Sequence, residues 1–230
     1  MQAHQVDVWR VRLDRHADLV NFIESTLSTD ETQRAARFHF EVDRNRFIVA
    51  HACLRLILAR YLRCEPLQLD FSTNEYGKPA VLNDHKFEFN LTHSGDYALI
   101  AVTRERKVGV DVEHIRPGAD LESLAARYFS QREVSELTVV PLEQKTIAFF
   151  NGWTRKEAYI KAQGLGLSLP LDGFDVSLSP GEPVILRATR PDPHEAARWT
   201  LLSLRVAPGY EGALAVEGHG LNFQYWDWNE

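Results

Sequence analysis

The segment 107–113 constrains the fold more than any other part of the chain. Three valines, at positions 108, 110 and 112, alternate in it with Gly109, Asp111 and Glu113. Alternation of this kind predicts a half-buried strand, on which side chains two residues apart leave the same face about 7 Å from each other. Asp111 and Glu113 should therefore point the same way. Neighbouring carboxylates repel each other unless a cation lies between them, and the alternative is a solvated strand face.

The two halves of the chain show a similar succession of predicted elements. Apolar residues at helical spacing predict helices over 18–27, 43–61 and 146–163, and alternation predicts strands from residue 87 and over 97–103, 174–178, 184–188, 200–206 and 213–216. Ser28 and Ser130 each precede a glutamate by three residues, which is the spacing of a capping box at a helix start. We therefore predict an α+β fold with two similar lobes (a pseudo-dimer), each with helices packed on a small antiparallel sheet, over residues 1–108 and 109–230.

A polar turn at 104–106 lies between the strand 97–103 and the acidic strand 107–113. Its length and composition predict a hairpin that pairs these two strands. The boundary between the lobes would then lie near the acidic strand.

The composition disfavours several classes of function. A net charge of −6 over 230 residues does not favour nucleic-acid binding. No apolar run is long enough to span a bilayer, and Cys53 and Cys64 lack the CxxC spacing of zinc and redox sites. We therefore expect a cytoplasmic protein that binds neither nucleic acid nor membrane.

A third carboxylate stands out on the helix 146–163. Glu157 shares the apolar stripe of this helix, and a buried carboxylate needs a partner or stays protonated. One interpretation is a simple ion pair with Lys161, one turn further along the helix. The other joins Glu157 to Asp111 and Glu113 as three oxygen ligands of Mg²⁺, an ion that usually keeps waters and substrate phosphates in its remaining positions. The residues alone leave both interpretations open.

Basic residues suited to phosphate lie in three other places. Lys78 lies in the segment 74–79 with a glycine and a proline, His93 lies between Thr92 and Ser94 at a strand end, and seven arginines fall within 34–63. The alternatives are an ordinary turn, a core histidine and a solvated helix face. The sequence contains no G-x-x-x-x-G-K-[ST] loop, G-x-G-x-x-G fingerprint or G-x-S-x-G elbow, which disfavours P-loop, Rossmann and nucleophile-elbow chemistry.

Three segments together resemble the signature motifs of the 4′-phosphopantetheinyl transferases. They are 89–94 (FNLTHS), 109–113 (GVDVE) and 153–161 (WTRKEAYIK), and their order and spacing also match. The segment 74–79 resembles the family's Tyr-Gly-Lys-Pro turn, and 164–170 resembles the stretch after its last motif. The length and two-lobed layout resemble the Sfp type, a monomeric pseudo-dimer, rather than the short trimeric holo-acyl-carrier-protein synthases.

This resemblance implies an enzyme in which a serine hydroxyl of an apo-acyl or peptidyl carrier protein attacks the β-phosphate of coenzyme A. The 4′-phosphopantetheine arm is transferred and adenosine 3′,5′-bisphosphate leaves. By resemblance, Asp111, Glu113 and Glu157 hold Mg²⁺, and Glu157 also serves as the base, directly or through water. Lys161 stabilises charge on the pyrophosphate. The resemblance assigns contacts with coenzyme A to a mainly basic set, namely Arg46, Gly77, Lys78, Thr92, His93 and Lys161.

Two other functions remain open from the sequence. One is a Mg²⁺-dependent nucleotide phosphohydrolase, which needs no protein acceptor, and the other is a non-catalytic carrier-protein-binding module. The transferase predicts a near-total loss of function in Asp111→Ala, whereas the binding module predicts that this variant keeps its function. The tail after Gly220, with Trp226 and Trp228, lies outside the resemblance.

Overall fold

The chain forms six helices and eleven strands within the residues that the computed structural model describes, which are 2, 4–82, 84–116, 120–190 and 192–229. The helices are α1 (Ala17–Glu24), α2 (Thr29–Ala35), α3 (Glu41–Leu62), α4 (Leu121–Tyr128), α5 (Gln131–Val139) and α6 (Leu142–Gln163). The strands are β1 (Gln5–Arg12), β2 (Phe71–Thr73), β3 (Pro79–Val81), β4 (Phe87–Ser94), β5 (Tyr97–Arg104), β6 (Val108–His114), β7 (Phe174–Val176), β8 (Leu186–Thr189), β9 (Trp199–Leu204), β10 (Tyr210–Glu217) and β11 (Asn222–Asp227).

The two halves repeat one order of elements: a strand, two short helices, a long helix, a two-stranded ribbon and two longer strands. The long helices α3 and α6 both have 22 residues and both end at a residue in the left-handed conformation, Arg63 and Gly164. Both predicted capping boxes form, at Ser28 and at Ser130. The repeat confirms the predicted α+β fold with two similar lobes.

Each lobe is built on one main sheet. The first has the strand order β11-β1-β5-β4 and the second β6-β10-β9, while β2–β3 and β7–β8 form separate ribbons. Helix α3 packs on one face of the first sheet and α6 on one face of the second. The remaining faces pack against each other through apolar residues of β1, β5, β6, β9 and β10. The layers are therefore helix, sheet, sheet, helix, and β6 lies at the seam between the lobes.

The predicted hairpin between β5 and β6 is wrong. Strand β6 pairs with β10 in the second sheet, and β5 pairs with β1 and β4 in the first. Residues 105–107 carry the chain from one lobe to the other, with Glu105 at φ 60°. A short polar turn permits either path. The valines of β6 pack against the face of the first sheet. In that position β6 cannot also pair with an edge strand of the same sheet.

The C-terminal strand β11 crosses back to the first lobe, where it pairs with β1 in parallel. All other strand pairs in the described residues are antiparallel. The sequence prediction left this tail without structure, because an edge strand buries few of its side chains. The division of the lobes at residue 108 stays a prediction, and this strand packs on the first lobe.

Each lobe contains a buried ion pair at the same place in its fold. Glu31, the third residue of α2, binds Arg55 on α3 at 2.5 Å, and Glu133, the third residue of α5, binds Lys156 on α6 at 2.7 Å. Both cations also donate to main-chain carbonyls that follow their helices. The pairs join the short helices to the long ones. Lys156 is fully buried and is thereby held inside the second lobe.

Candidate functional site

Strand β6 separates its apolar and acidic side chains as the alternation predicts. Its three valines pack into the core between the sheets. Asp111 and Glu113 leave the opposite face, which is the face that α6 covers at Gly109.

Gly109 brings α6 very close to β6. A Cβ at this position would lie 2.1 Å from the carbonyl oxygen of Ala158 and 2.3 Å from the amide nitrogen of Ala162, both backbone atoms of α6. No side chain larger than hydrogen fits there, so the glycine sets the distance between strand and helix. The charged side chains of α6 are therefore brought to the acidic face of β6.

Asp111 is the most deeply buried acid of this face, with only 3% of its surface exposed. Its Oδ1 accepts hydrogen bonds from Lys161 Nζ at 2.6 Å and from Thr92 Oγ1 at 3.2 Å. Its Oδ2 is buried and has no hydrogen-bond partner among the described residues. Burial raises the pKa of the Asp111 carboxyl to about 7, although Lys161 opposes the shift.

Glu113 and Glu157 lie close enough to influence this carboxyl. Each of them raises the pKa of Asp111 further. Burial raises the pKa of Glu157, Lys161 opposes that shift, and Glu113 adds to it. The three carboxylates thus share one electrostatic environment at the seam.

The ion pair between Glu157 and Lys161, one of the two sequence-based interpretations, does not form in the described structure. The Lys161 ammonium instead contacts Asp111 and Thr92, at 2.6 and 3.0 Å. Lys161 therefore links α6 to β6 and to β4 rather than to its own helix.

The donor set fits Mg²⁺ in its chemistry. All three side chains offer carboxylate oxygens, and the buried Oδ2 of Asp111 lacks the partner that such an atom requires. As the side chains are arranged, however, no group of three or more histidines, cysteines, aspartates or glutamates in the described residues is close enough to hold a metal ion. Assembly of Asp111, Glu113 and Glu157 around one ion therefore remains a prediction.

Lys78 reaches the seam from the first lobe, but its ammonium is engaged by the backbone. It donates to the carbonyl oxygens of Val108 and Ala162, at 3.2 and 3.1 Å, and lies 3.6 Å from Glu88. Burial lowers the pKa of Lys78. Its neighbour Gly77 has φ 86°, the left-handed conformation that favours glycine in this turn.

His93 and Arg46 lie at the other end of the seam. His93 is exposed at the end of β4, and Arg46 Nη2 binds Asp96 at 2.5 Å. Partial desolvation lowers the pKa of His93, and positive charges on His51, Lys161 and Arg46 lower it further. These basic side chains therefore gather around one region, as a site for phosphates requires.

A cavity of about 250 Å³ opens between the two lobes. Its walls come from the turn after β2, from β4 and from α6, and include Gly77, Lys78, Glu157 and Lys161. The other candidate residues do not line it, namely Arg46, Thr92, His93, Asp111 and Glu113. A larger groove of about 400 Å³ lies between β1, β9 and β11. It contains none of the candidate carboxylates or phosphate-binding residues, so of these two cavities only the smaller one is lined by candidate site residues.

Sequence reasoning missed two residues that contact the acidic strand. Asn90 Oδ1 accepts the Val110 N–H at 2.8 Å, and Ser94 Oγ donates to Glu113 Oε2 at 3.0 Å. The signal was present, because the polar positions of β4 alternate with its phenylalanines. Alternation alone does not reveal what a polar strand face contacts.

Both halves of the chain match models of one protein family. Residues 107–215 match the model described as 4′-phosphopantetheinyl transferase superfamily. Residues 14–105 match the model described as 4′-phosphopantetheinyl transferase, N-terminal. The two matches together span most of the chain and include every candidate site residue.

Individual relatives are similar over nearly the whole length. The chain is 41% identical over 226 residues to 4′-phosphopantetheinyl transferase HetI of Nostoc sp., which covers 96% of this chain and 92% of HetI. It is 33% identical over 192 residues to 4′-phosphopantetheinyl transferase Sfp of Bacillus subtilis, covering 84% and 83%. A solved structure, the holo-[acyl-carrier-protein] synthase of Thermotoga maritima, aligns with a TM-score of 0.39 at 22% identity over 49% of this chain and 62% of its own. That structural likeness is too weak to bear on the function.

Proposed function

The chain belongs to the 4′-phosphopantetheinyl transferase superfamily, and we propose that it transfers the 4′-phosphopantetheine arm of coenzyme A to a serine of an acyl or peptidyl carrier protein. In this reaction the serine oxygen forms a bond to the β-phosphorus of coenzyme A. The bond from that phosphorus to the bridging oxygen breaks, adenosine 3′,5′-bisphosphate leaves with the electron pair, and the serine proton passes to a base.

One observation supports this site more than any other. The three motif segments, which lie on β4, β6 and α6, meet at one seam where the Oδ2 atom of Asp111 is buried without a partner. A buried oxygen of this kind favours a ligand that is not part of the protein. The cavity beside it is lined by Glu157 and Lys161.

The chain's own residues have distinct roles in this proposal. The Lys161 ammonium neutralises charge on the pyrophosphate as the bond to the leaving group breaks. Glu157 is half-buried and lines the cavity, and its carboxylate accepts the serine proton, directly or through water. His93 and Arg46 bind phosphates of coenzyme A at the end of β4, and Gly77 offers backbone contacts.

Lys78 and Thr92 are assigned to coenzyme A by the family resemblance, and their contacts give both a further role. Thr92 is buried and holds Asp111 and Lys161. Lys78 binds carbonyl oxygens of β6 and α6. Direct contact of either with phosphate remains a proposal, since each is already bonded within the seam.

We also propose that Asp111, Glu113 and Glu157 bind Mg²⁺. The ion, when bound, supplies positive charge to the pyrophosphate and to the departing bisphosphate. The carboxylates fix its position at the seam, and the buried Asp111 Oδ2 is the ligand atom that the protein leaves open.

The remaining expectations concern the state of the protein. We propose a monomer, because both sides of the seam come from one chain and a second copy is not needed to complete the site. None of the helices in the described part of the chain has the length and apolar character needed to cross a membrane. We also propose a cytoplasmic location, because Cys53 and Cys64 are free thiols, which are typical of a reducing compartment.

Incubation with coenzyme A, Mg²⁺ and purified apo-carrier proteins tests the function. Intact-mass measurement should show one phosphopantetheine added to the carrier, and Asp111→Ala and Glu157→Gln should reduce the rate at least ~100-fold. Glu143→Gln is a matched control, because Glu143 is an exposed carboxylate on the same helix. Release of adenosine 3′,5′-bisphosphate without any carrier would instead identify a phosphohydrolase. Unchanged turnover in Asp111→Ala would overturn the metal site.

A further inference from the structure

One face of β4 contacts β6 across the seam through three successive polar side chains. Asn90 accepts the Val110 N–H at 2.8 Å, Thr92 donates to Asp111, and Ser94 donates to Glu113. These side chains are two residues apart, so they share one face of β4. The two strands belong to different sheets and form no backbone ladder with each other. We call this set (Asn90, Thr92 and Ser94) the seam ladder.

Thr92 and Ser94 both contact an acid of β6, but only Ser94 has no other assigned role. Its hydroxyl accepts the backbone N–H of His114 at 3.1 Å and donates to Glu113 Oε2 at 3.0 Å. Because the amide occupies a lone pair of the hydroxyl oxygen, the O–H is directed at the carboxylate. The hydroxyl thus fixes both the end of β6 and the orientation of one acidic side chain.

Glu113 needs such a support. It is only half-buried, and no positively charged side chain forms an ion pair with it in the described residues. Lys161, the basic residue that contacts the neighbouring acid of β6, is bonded to Asp111. A carboxylate on a flexible side chain loses rotamer freedom when it binds an ion, and a hydrogen bond that already limits the number of its rotamers reduces this cost.

We propose that Ser94 is a positioning residue for the transferase reaction, because its hydroxyl crosses the seam from the first lobe and restricts the Glu113 side chain to the acidic face of β6, from which its carboxylate binds the divalent ion. This inference rests on the proposed function and its metal site. It assigns to the first lobe a part in building a site whose acids all come from the second. Ser94 acts through Glu113 and does not itself contact coenzyme A or the reacting atoms.

The experiment compares Ser94→Ala, Ser94→Thr and Ser94→Cys in the full chain. Thr keeps the hydroxyl, Ala removes it, and Cys keeps a side chain of similar size with a much weaker donor. Ser135→Ala is the matched control, since the Ser135 hydroxyl is exposed and bonds only within its own helix. Mn²⁺ binding is measured directly by electron paramagnetic resonance, with coenzyme A present and no carrier. The rate is then measured as a function of Mg²⁺ concentration with a carrier protein.

Removal of a residue that orients a metal ligand typically weakens metal affinity 10- to 100-fold. We expect that loss in Ser94→Ala and Ser94→Cys, both in Mn²⁺ affinity and in the Mg²⁺ concentration at half-maximal rate, while the rate at saturating Mg²⁺ falls less than about fivefold. Ser94→Thr and Ser135→Ala should stay within about threefold of the wild type. Thermal unfolding of each variant identifies a loss of fold, and the Cys variant then replaces the Ala variant.

The outcomes separate this inference from the proposed function. Wild-type Mn²⁺ affinity in a folded Ser94→Ala or Ser94→Cys overturns the role of Ser94, whereas loss of Mn²⁺ binding in Asp111→Ala in the same assay preserves the metal site. A fall in the rate at saturating Mg²⁺ with unchanged Mn²⁺ affinity also overturns it. Wild-type binding in both Ser94→Ala and Asp111→Ala would refute the metal site and the inference together.

Discussion

The Lys161 ammonium lies 2.6 Å from Asp111 Oδ1, although Glu157 lies one turn earlier on the same helix. This ion pair joins α6 to β6 within the second lobe. Strand β4 of the first lobe contacts β6 at the same place. Lys161 lowers the pKa of Asp111 against the effect of burial. The cation therefore favours the ionised form of the buried acid.

Two replacements of Lys161 should distinguish the effect of its charge on kcat from the effect of its size. Lys161→Met removes the cation, so the pKa of Asp111 should rise further and kcat should fall about 100-fold or more. Lys161→Arg retains the charge and should lose less. Steady-state transfer of phosphopantetheine to a carrier protein measures both.

Lys145→Met is the control for this substitution, because Lys145 lies on the same helix and pairs with an exposed glutamate, Glu122. Its kcat should equal that of the wild type. A wild-type kcat in Lys161→Met would contradict the electrostatic role of Lys161.

Much of the fold could be predicted from the sequence because its helices and strands produce local periodic patterns of apolar residues. The long helices and the two faces of β6 follow from the spacing of apolar residues, and the capping boxes follow from a serine placed three residues before a glutamate. The partner of β6 could not be predicted, since residues 105–107 permit either a hairpin or a crossing between lobes. The choice depends on the distant strand β10, with which β6 pairs.

The candidate site was predictable in its residue types and not in its contacts. The motif residues of β4, β6 and α6 do meet at one seam. The pairing of Lys161 with Asp111 depends on the distance between α6 and β6, which the close approach at Gly109 sets. The burial of Lys78 among carbonyl oxygens depends on how the two lobes pack against each other. No local pattern encodes either distance.

Gly109→Ala should therefore damage both stability and activity. The new methyl carbon would meet backbone atoms of Ala158 and Ala162 at 2.1 and 2.3 Å, and backbone cannot turn aside as a side chain can. Overpacking of this kind costs about 1–3 kcal/mol of unfolding free energy or more. Separation of α6 from β6 should also reduce kcat at least ~10-fold, because a small displacement of catalytic groups has large effects.

Gly173→Ala is the matched control, since a Cβ there would lie 3.8 Å from its nearest neighbour, in Pro170. Urea unfolding and the transfer assay should both leave it close to the wild type. Equal stability of Gly109→Ala and Gly173→Ala would contradict the tight contact.

Glu31 should make the first lobe sensitive to acid. Burial tends to raise the pKa of Glu31, but hydrogen bonds from His51, the Ser28 N–H and Arg55 outweigh it and lower the pKa to about 2. Because the folded pKa is below the unfolded value, the ionised carboxylate stabilises the fold above about pH 4.5. That contribution, about 3 kcal/mol, is lost as the pH falls from about 4.5 to below the folded pKa.

Urea unfolding from pH 7 to pH 2.5 tests this linkage. Glu31→Gln should be less stable than the wild type at pH 7, and the difference should shrink as the pH falls below about 4.5. Asp30→Asn, at the preceding position of α2, serves as control because Asp30 is exposed and lies outside the buried pair. A difference between Glu31→Gln and the wild type that does not change with pH would contradict the assignment.

The tail after Gly220 should stabilise the first lobe without taking part in the reaction. Strand β11 covers the edge of β1, where Trp226 stacks on Trp9 with ring centroids 5.5 Å apart. Arg60 also lies over the ring of Trp228, at 4.7 Å. On α3, Arg60 holds the position that Lys161 holds on α6, so a tryptophan of the tail covers the first lobe's counterpart of Lys161.

Truncation after Gly220 should remove these contacts and the strand pairing. Stacking and cation–π contacts are each worth about 0.5–1.5 kcal/mol, so with the lost pairing we expect a loss of about 3 kcal/mol. For a chain of this size, that corresponds to a fall in Tm of roughly 6–12 °C. Because β11 and β4 form opposite edges of the first sheet, kcat should stay within about threefold of the wild type when it is measured well below the new Tm.

Tyr225→Ala is the control for the loss of an exposed aromatic side chain, since Tyr225 is 60% exposed. This variant should leave Tm nearly unchanged. Calorimetry that finds the truncated chain as stable as the wild type would refute the structural role, and a large fall in kcat at that temperature would show that the tail contributes to the reaction.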